Sequence, residues 1–160
     1  MNSDLIYNIV EQHLRGRLGH VNIDCVAGSG GRAGTKTKGA ENFFLKNNAL
    51  ATHVHSGGHT FGPLPQGYYY MYPHEDRKKT MVRLDPFKSN VMHKRSGFLI
   101  HGRGEIGSHG CIVPYDFADV QKIYNAVRSQ VEARRKMPVL KVVAVGTDID
   151  RKFLQAGSVA

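Results

Sequence analysis

The chain of 160 residues has only two cysteines, Cys25 and Cys111, which is too few for a disulfide framework. Its core must come from apolar burial, and a chain of this length has enough surface to bury. No stretch approaches the ~20 consecutive apolar residues of a membrane-spanning helix, so no membrane span is expected. No export leader is readable either. The first apolar run, residues 5–10, is short and follows Asp4, where a positive segment would stand. The expectation is a protein made in the cytoplasm that does not use the general export route.

Two further absences remove function classes. The glycine-rich stretch 28–39 has no Gly-Lys-Ser/Thr closing it, so it reads as a flexible loop and not as a phosphate cradle. Acidic residues are missing from 42 to 74 and scarce overall, with 13 Asp+Glu against 22 Lys+Arg and a net charge of +9. That balance favours polyanionic surroundings without choosing among nucleic acid, anionic lipid and an acidic wall polymer. The basic residues are scattered, and their densest groups, Arg77–Lys79 and Arg134–Lys136, read as solvated patches.

What remains is a β-rich pattern over one domain, residues 1–160. Val21, Ile23 and Cys25 alternate with polar residues and share one strand face, which makes Cys25 a core residue. A strand pair, residues 5–10 and 21–27, is expected around a connection at Arg15–Gly19, with a short N-terminal helix as the alternative. Further strands are expected at Tyr68–Tyr72, 81–84, 97–101 and 139–145. One amphipathic helix is expected over Asp116–Lys136. Phe117, Val120, Tyr124, Val127 and Val131 recur at spacings of three and four, Asp116 is the N-cap, and Pro138 lies beyond the end.

The chemistry concentrates in Phe98-Leu-Ile-His101-Gly102 and Gly107-Ser108-His109-Gly110-Cys111. A catalytic thiol needs a base, donors for a developing oxyanion, and access to substrate. None of the nine histidines follows Cys111, which excludes the papain order of cysteine first and histidine later. His101 and His109 are the near candidates for the base. Gly102 lets the chain turn after His101, and the Gly110 and Cys111 N–H groups are natural oxyanion donors. A cysteine buried in a glycine-rich turn is the plainer alternative, and the two flanking histidines and two glycines argue against it.

The segment FLIHGRGEIGSHGCIVP resembles the active-site motif of the YkuD-type L,D-transpeptidases, in which a His-Gly pair precedes a Ser-His-Gly-Cys motif. Together with FGPLPQGYYYM upstream it is similar to a compact subfamily that includes antibacterial type VI secretion effectors. The likeness is good over roughly residues 60–115 and loose over the N-terminal third. It implies Cys111 as nucleophile, His101 as general base, the Gly102 carbonyl as orienter of that imidazole, and Ser108, His109 and Gly110 as pocket residues. It implies a mainly β domain, a curved mixed sheet or β-sandwich of the L,D-transpeptidase catalytic type, with the helix packed against it and no cofactor.

The implied reaction cleaves the diamino acid–D-Ala bond of a peptidoglycan tetrapeptide stem through a Cys111 thioester. Water (L,D-carboxypeptidase) or an amine such as a D-amino acid (exchange) then takes the acyl group. Action in the periplasm of a target cell after type VI delivery would reconcile such a substrate with the missing leader. It would bring a cognate immunity protein and a secretion-apparatus component as partners. Two departures from the family pattern stand out. Only Gly102–Gly107 separate His101 from the Ser-His-Gly-Cys motif, and Val113 stands where the family often has Arg or Asn. Arg95 and Arg103 are the candidates to replace that residue toward substrate carboxylates, with Tyr70 as a further binding residue.

Two rival readings rest on other residues. His53-Val-His55 with His59 has a spacing that can hold zinc in a hydrolase. The three tyrosines Tyr68–Tyr70 with the basic charge suggest a nucleic-acid-binding module, but the basic residues are not interleaved with them, so no nucleic acid is expected.

Overall fold

The computed structural model describes residues 2–30, 55–56, 59–60, 62–102, 110–134 and 136–146. Alternation of apolar and polar residues produces most of the strands. β1 (Leu5–Asn8), β2 (His13–Leu18) and β3 (Val21–Ser29) follow one another as an antiparallel meander. Two-residue strands β4 (His55–Ser56) and β5 (His59–Thr60) pair only with each other. Then come β6 (Gly67–Pro73), β7 (Val82–Pro86), β8 (Phe98–Ile100), β9 (Ile112–Pro114), the helix α1 (Phe117–Arg134) and β10 (Val139–Val143).

The described residues are mainly β with one helix, and the main sheet closes on itself in the order β1-β10-β6-β7-β8-β9-β3-β2. The sheet is mixed, as the expected curved mixed sheet requires, with β1–β10 and β8–β9 parallel and the other pairs antiparallel, and the β-sandwich alternative is not formed. The closure depends on β10 adding parallel to β1, with Leu5 opposite Leu140, so the two ends of the chain complete the barrel. Each barrel strand contributes apolar inward residues, among them Tyr7, Leu14, Ile23, Met71, Leu84, Ile100, Ile112 and Leu140, all at or below 4% exposure. At about 25 cal/mol per Å² of apolar surface, this shared interior is the main stabilising term.

The expected connection at Arg15–Gly19 is instead mostly strand β2. Gly16 is in the strand because β1 passes too close for a side chain: a Cβ there would lie 2.2 Å from the Asp4 carbonyl oxygen. The actual turn is at Gly19–His20. Gly28 and Ser29, expected in the glycine-rich loop, extend β3 and pair with Val113 and Ile112; residues 31–39 lie outside the described residues.

The helix begins as its sequence predicts. Asp116 Oδ1 accepts the Ala118 N–H at 3.0 Å, the geometry of an N-cap. Val120, Ile123, Tyr124 and Val127 are buried. The helix packs against β2, β3, β6, β7 and β9. Phe117, expected on the buried face, is 49% exposed, with its ring against Gly102, where a Cβ would lie 3.1 Å from it.

Candidate active site

β8 and β9 are parallel neighbours, with Ile100 paired to Ile112. Ile100 and Ile112 point into the barrel and are fully buried. Strand alternation therefore turns Leu99 and His101 outward on one strand, and Cys111 outward just before the other. Cys111 lies beside Leu99, whose N–H donates to Cys111 Sγ at 3.3 Å. In the same register His101 stands two residues along β8 from Leu99, diagonal to Cys111 and on the same face.

The His101 backbone N–H donates to the Ile112 carbonyl at 3.1 Å, which ties the end of β8 to β9. Its ring Nδ1 stands 2.7 Å from the Gly102 carbonyl oxygen. A carbonyl can only accept, so Nδ1 is the donor, and in the neutral ring the lone pair is then on Nε2. That tautomer is the one a general base requires.

The turn before the thiol is braced from below. Gly110 has φ +111, and a Cβ on it would lie 2.3 Å from Arg95 Nη2 and 2.8 Å from the Phe98 ring. Ser29 Oγ donates to the Gly110 carbonyl at 2.9 Å and accepts the Leu64 N–H at 2.9 Å. Arg95 is 8% exposed, and its guanidinium donates to the Pro63 carbonyl at 2.7 Å and the Gly62 carbonyl at 2.8 Å. It also lies over the Phe98 ring, 5.1 Å from the centroid. Burial lowers its pKa to about 10, so it stays a cation at neutral pH. Arg95, a sequence candidate for substrate carboxylates, is thus buried beneath the turn that leads into Cys111 and holds Gly62 and Pro63 against it.

A row of outward side chains crosses four strands to the thiol. Tyr72 pairs with Arg83, Arg83 with Leu99, and Leu99 adjoins Cys111. Arg83 is clamped in two-pronged fashion by Glu75, through Nε–Oε1 at 3.1 Å and Nη2–Oε2 at 2.8 Å, and its Nη2 stands 3.2 Å from His74 Nε2. Burial raises the Cys111 pKa, while the Leu99 N–H and the Arg83 and Arg95 charges pull it down; the net shift is upward. The resting group is therefore a thiol, and its activation needs a base.

Arg83 is the residue that sequence reasoning missed. Its place between Val82 and Leu84 reveals an outward side chain, but not which strand lies across from it. Ser29 was missed because its glycine neighbours read as loop. Tyr70 does not join the Cys111 row. It pairs with Asp85, two residues away from the Tyr72–Arg83 pair, and stacks on Phe87 with centroids 4.3 Å apart. Tyr69 is buried in the barrel and Lys141 stands over the Tyr68 ring at 5.7 Å, so the three tyrosines do not form one stacking face.

Cys25 is buried, which raises its pKa to about 11 and leaves it a core thiol. Ser108, His109, Arg103 and His53 lie outside the described residues, as do the side chains of His55 and His59, whose backbones belong to the β4–β5 pair. Among the described residues, no three His, Cys, Asp or Glu side chains cluster as metal ligands. No described helix is long and apolar enough to cross a membrane.

No family model, curated protein or solved structure matches this chain. The functional reading accordingly rests on the residues around Cys111.

Proposed function

We propose that the protein is a cysteine-dependent acyl transferase of the L,D-transpeptidase type, acting on peptidoglycan tetrapeptide stems. The observation that supports this reading is that the β8–β9 register puts His101 and Cys111 diagonally on one outward face, with the His101 imidazole 2.7 Å from the Gly102 carbonyl oxygen. The motif likeness supplies the substrate class.

In this mechanism His101 Nε2 takes the Cys111 proton as the sulfur attacks the carbonyl of the diamino acid. The backbone amides at Gly110 and Cys111 receive the oxyanion. The C–N bond breaks, and the D-alanine amine leaves with the proton from His101. Water or an amine then attacks the thioester, gives its proton to His101, and releases the thiol. The expected outcomes are a trimmed tripeptide or an exchanged stem. Delivery by a type VI apparatus to a target periplasm, with a cognate immunity protein, belongs to the same proposal and rests on the motif likeness.

The test is digestion of tetrapeptide muropeptides, with and without a D-amino acid, read by mass spectrometry beside Cys111→Ala and His101→Ala. Loss or replacement of terminal D-alanine by the wild type alone is expected. Intact stems with folded, reduced protein would sink the reading.

A further inference from the structure

A cleft of about 490 Å³ opens where the chain enters β6, lined by residues 65–68 and 89–91 and by His93. Its size lies in the range of small-molecule sites. Tyr68, in its wall, precedes Tyr72 by four residues on β6, about 13 Å along the strand. Tyr72 is where the row to Cys111 begins, so the cleft is a site separate from the thiol. Its two walls are tied together. Asn90 Oδ1 accepts the Tyr68 N–H at 3.0 Å, and its Nδ2 donates to the Tyr68 carbonyl at 2.8 Å. Gly67 makes room for that amide: its φ is +139, and a Cβ on it would lie 2.2 Å from Asn90 Oδ1. The Tyr69 hydroxyl donates to the Pro65 carbonyl at 2.6 Å and lies 3.4 Å from Met92 Sδ, which joins the same two segments again. A ligand is therefore spared the cost of ordering these walls.

The lining selects against ions. No Asp, Glu, Lys or Arg is among its residues, on a chain of net charge +9. Gln66, Ser89, Asn90 and His93 bring amide, hydroxyl and imidazole groups, types that both donate and accept hydrogen bonds. Pro65, Tyr68 and Val91 bring apolar surface, and Val91 is 69% exposed. The apolar surface continues past the cleft. The Phe87 ring lies 5.7 Å from the Tyr68 ring and 4.3 Å from the Tyr70 ring, centroid to centroid. Tyr68 and Tyr70 are two residues apart on β6 and share its outward face. Uncharged groups that donate and accept, beside apolar surface, suit a pyranose ring. Its hydroxyls do both, and its ring C–H groups form apolar faces.

We infer that this cleft binds one ring of a neutral oligosaccharide, with Gln66, Ser89, Asn90 and His93 on its hydroxyls and Pro65, Tyr68 and Val91 against its C–H groups. The next rings of the chain lie along Phe87 and Tyr70. Binding here involves no covalent step. It is independent of the Cys111 reaction, so saccharide binding and stem cleavage each fail or stand alone.

The test titrates the full chain with cellotetraose, chitotetraose, glucose and a glucosamine tetramer, following backbone amide shifts by NMR. Saturable shifts at Gln66, Tyr68, Asn90 and His93 are expected with at least one of the two neutral tetramers. Glucose should bind more weakly, because it does not reach Phe87 and Tyr70. The glucosamine tetramer should also bind more weakly, because its ammonium groups find no carboxylate in the lining and meet Lys141, 5.7 Å from the Tyr68 ring centroid. Tyr68→Ala should weaken the neutral tetramer about tenfold, the scale of one aromatic contact. Gln66 is exposed, so Gln66→Ala keeps the fold and weakens binding even where Tyr68→Ala does not fold. Arg128→Ala on the helix should change nothing. No saturable shift with either neutral tetramer, equal binding of the glucosamine tetramer, or affinity unchanged in both cleft variants overturns the assignment. Glucose binding as tightly as the tetramers overturns the extension along Phe87 and Tyr70.

Discussion

The hydroxyl of Ser29 donates to the Gly110 carbonyl at 2.9 Å across 81 residues of sequence. One side chain from the end of β3 thereby holds the peptide unit that leads into Cys111, and the same oxygen takes the Leu64 N–H. Substituting Ser29→Ala leaves a buried carbonyl and a buried N–H each short of a partner, which costs about 1–3 kcal/mol. For a chain of this size that is about 2–4 °C of Tm per kcal/mol. A thermal melt reads the loss, and the stem-cleavage rate should fall further than the melt explains. A variant with both wild-type Tm and wild-type rate would remove Ser29 from the brace.

Gly110→Ala should be more damaging. The alanine would have to take φ +111 and push its Cβ into Arg95 Nη2. Such backbone strain alone costs about 1–3 kcal/mol, and relieving the clash displaces the Arg95 clamp on Gly62 and Pro63. Stem cleavage is expected to fall at least tenfold in protein that still folds by circular dichroism. Near-normal cleavage would mean that the turn can relax without moving the thiol.

Arg83 should set part of the Cys111 acidity. Burial holds the thiol above its ordinary pKa, and the Arg83 cation opposes that shift. Arg83→Gln removes the opposing charge, so the pH profile of Cys111 alkylation should move further to alkaline pH. Iodoacetamide rates against pH, read on the Cys111 peptide by mass spectrometry, measure this without interference from buried Cys25. A profile that stays put would place Arg83 outside the thiol's electrostatic environment.

Acid should loosen the same corner of the molecule. The Arg83 hydrogen bonds, with a smaller contribution from its charge, hold the Glu75 carboxyl at about 2 against an ordinary 4.5. A depressed carboxyl contributes stability above the ordinary value and loses it as pH falls through about 4.5 to 2. Glu75 is fully exposed, so salt should weaken the effect. Melts of wild type and Glu75→Gln at pH 5 and pH 3 should converge on acidification. A constant gap between them would contradict the ion-pair account.

Much of the local structure was legible from residue spacing. The 3.6 period and Asp116 located the helix to within two residues at its C-terminal end, alternation located β3, and apolar and aromatic runs located β1, β6, β7, β8 and β10. Cys111, His101 and Gly102 stood out because nucleophile, base and turn residues occur close together in the chain. Gly16 and Ser29 misled for the same reason that such reasoning works elsewhere. Glycine neighbours signal turns, but at Gly16 the glycine answers a passing strand, and the neighbours of Ser29 lie in a paired one.

The sequence by itself determined which residues alternate inward, where the helix starts, and which side chains have the chemistry for thiol activation, because these depend on properties of near neighbours. Only the tertiary structure decided that the sheet closes through the β1–β10 pair, that Arg83 lies in the row that reaches Cys111, and that Arg95 clamps backbone beneath the thiol. Those relations depend on strand pairing between distant segments, and pairing is chosen by the fit of the whole barrel interior, which no local stretch encodes.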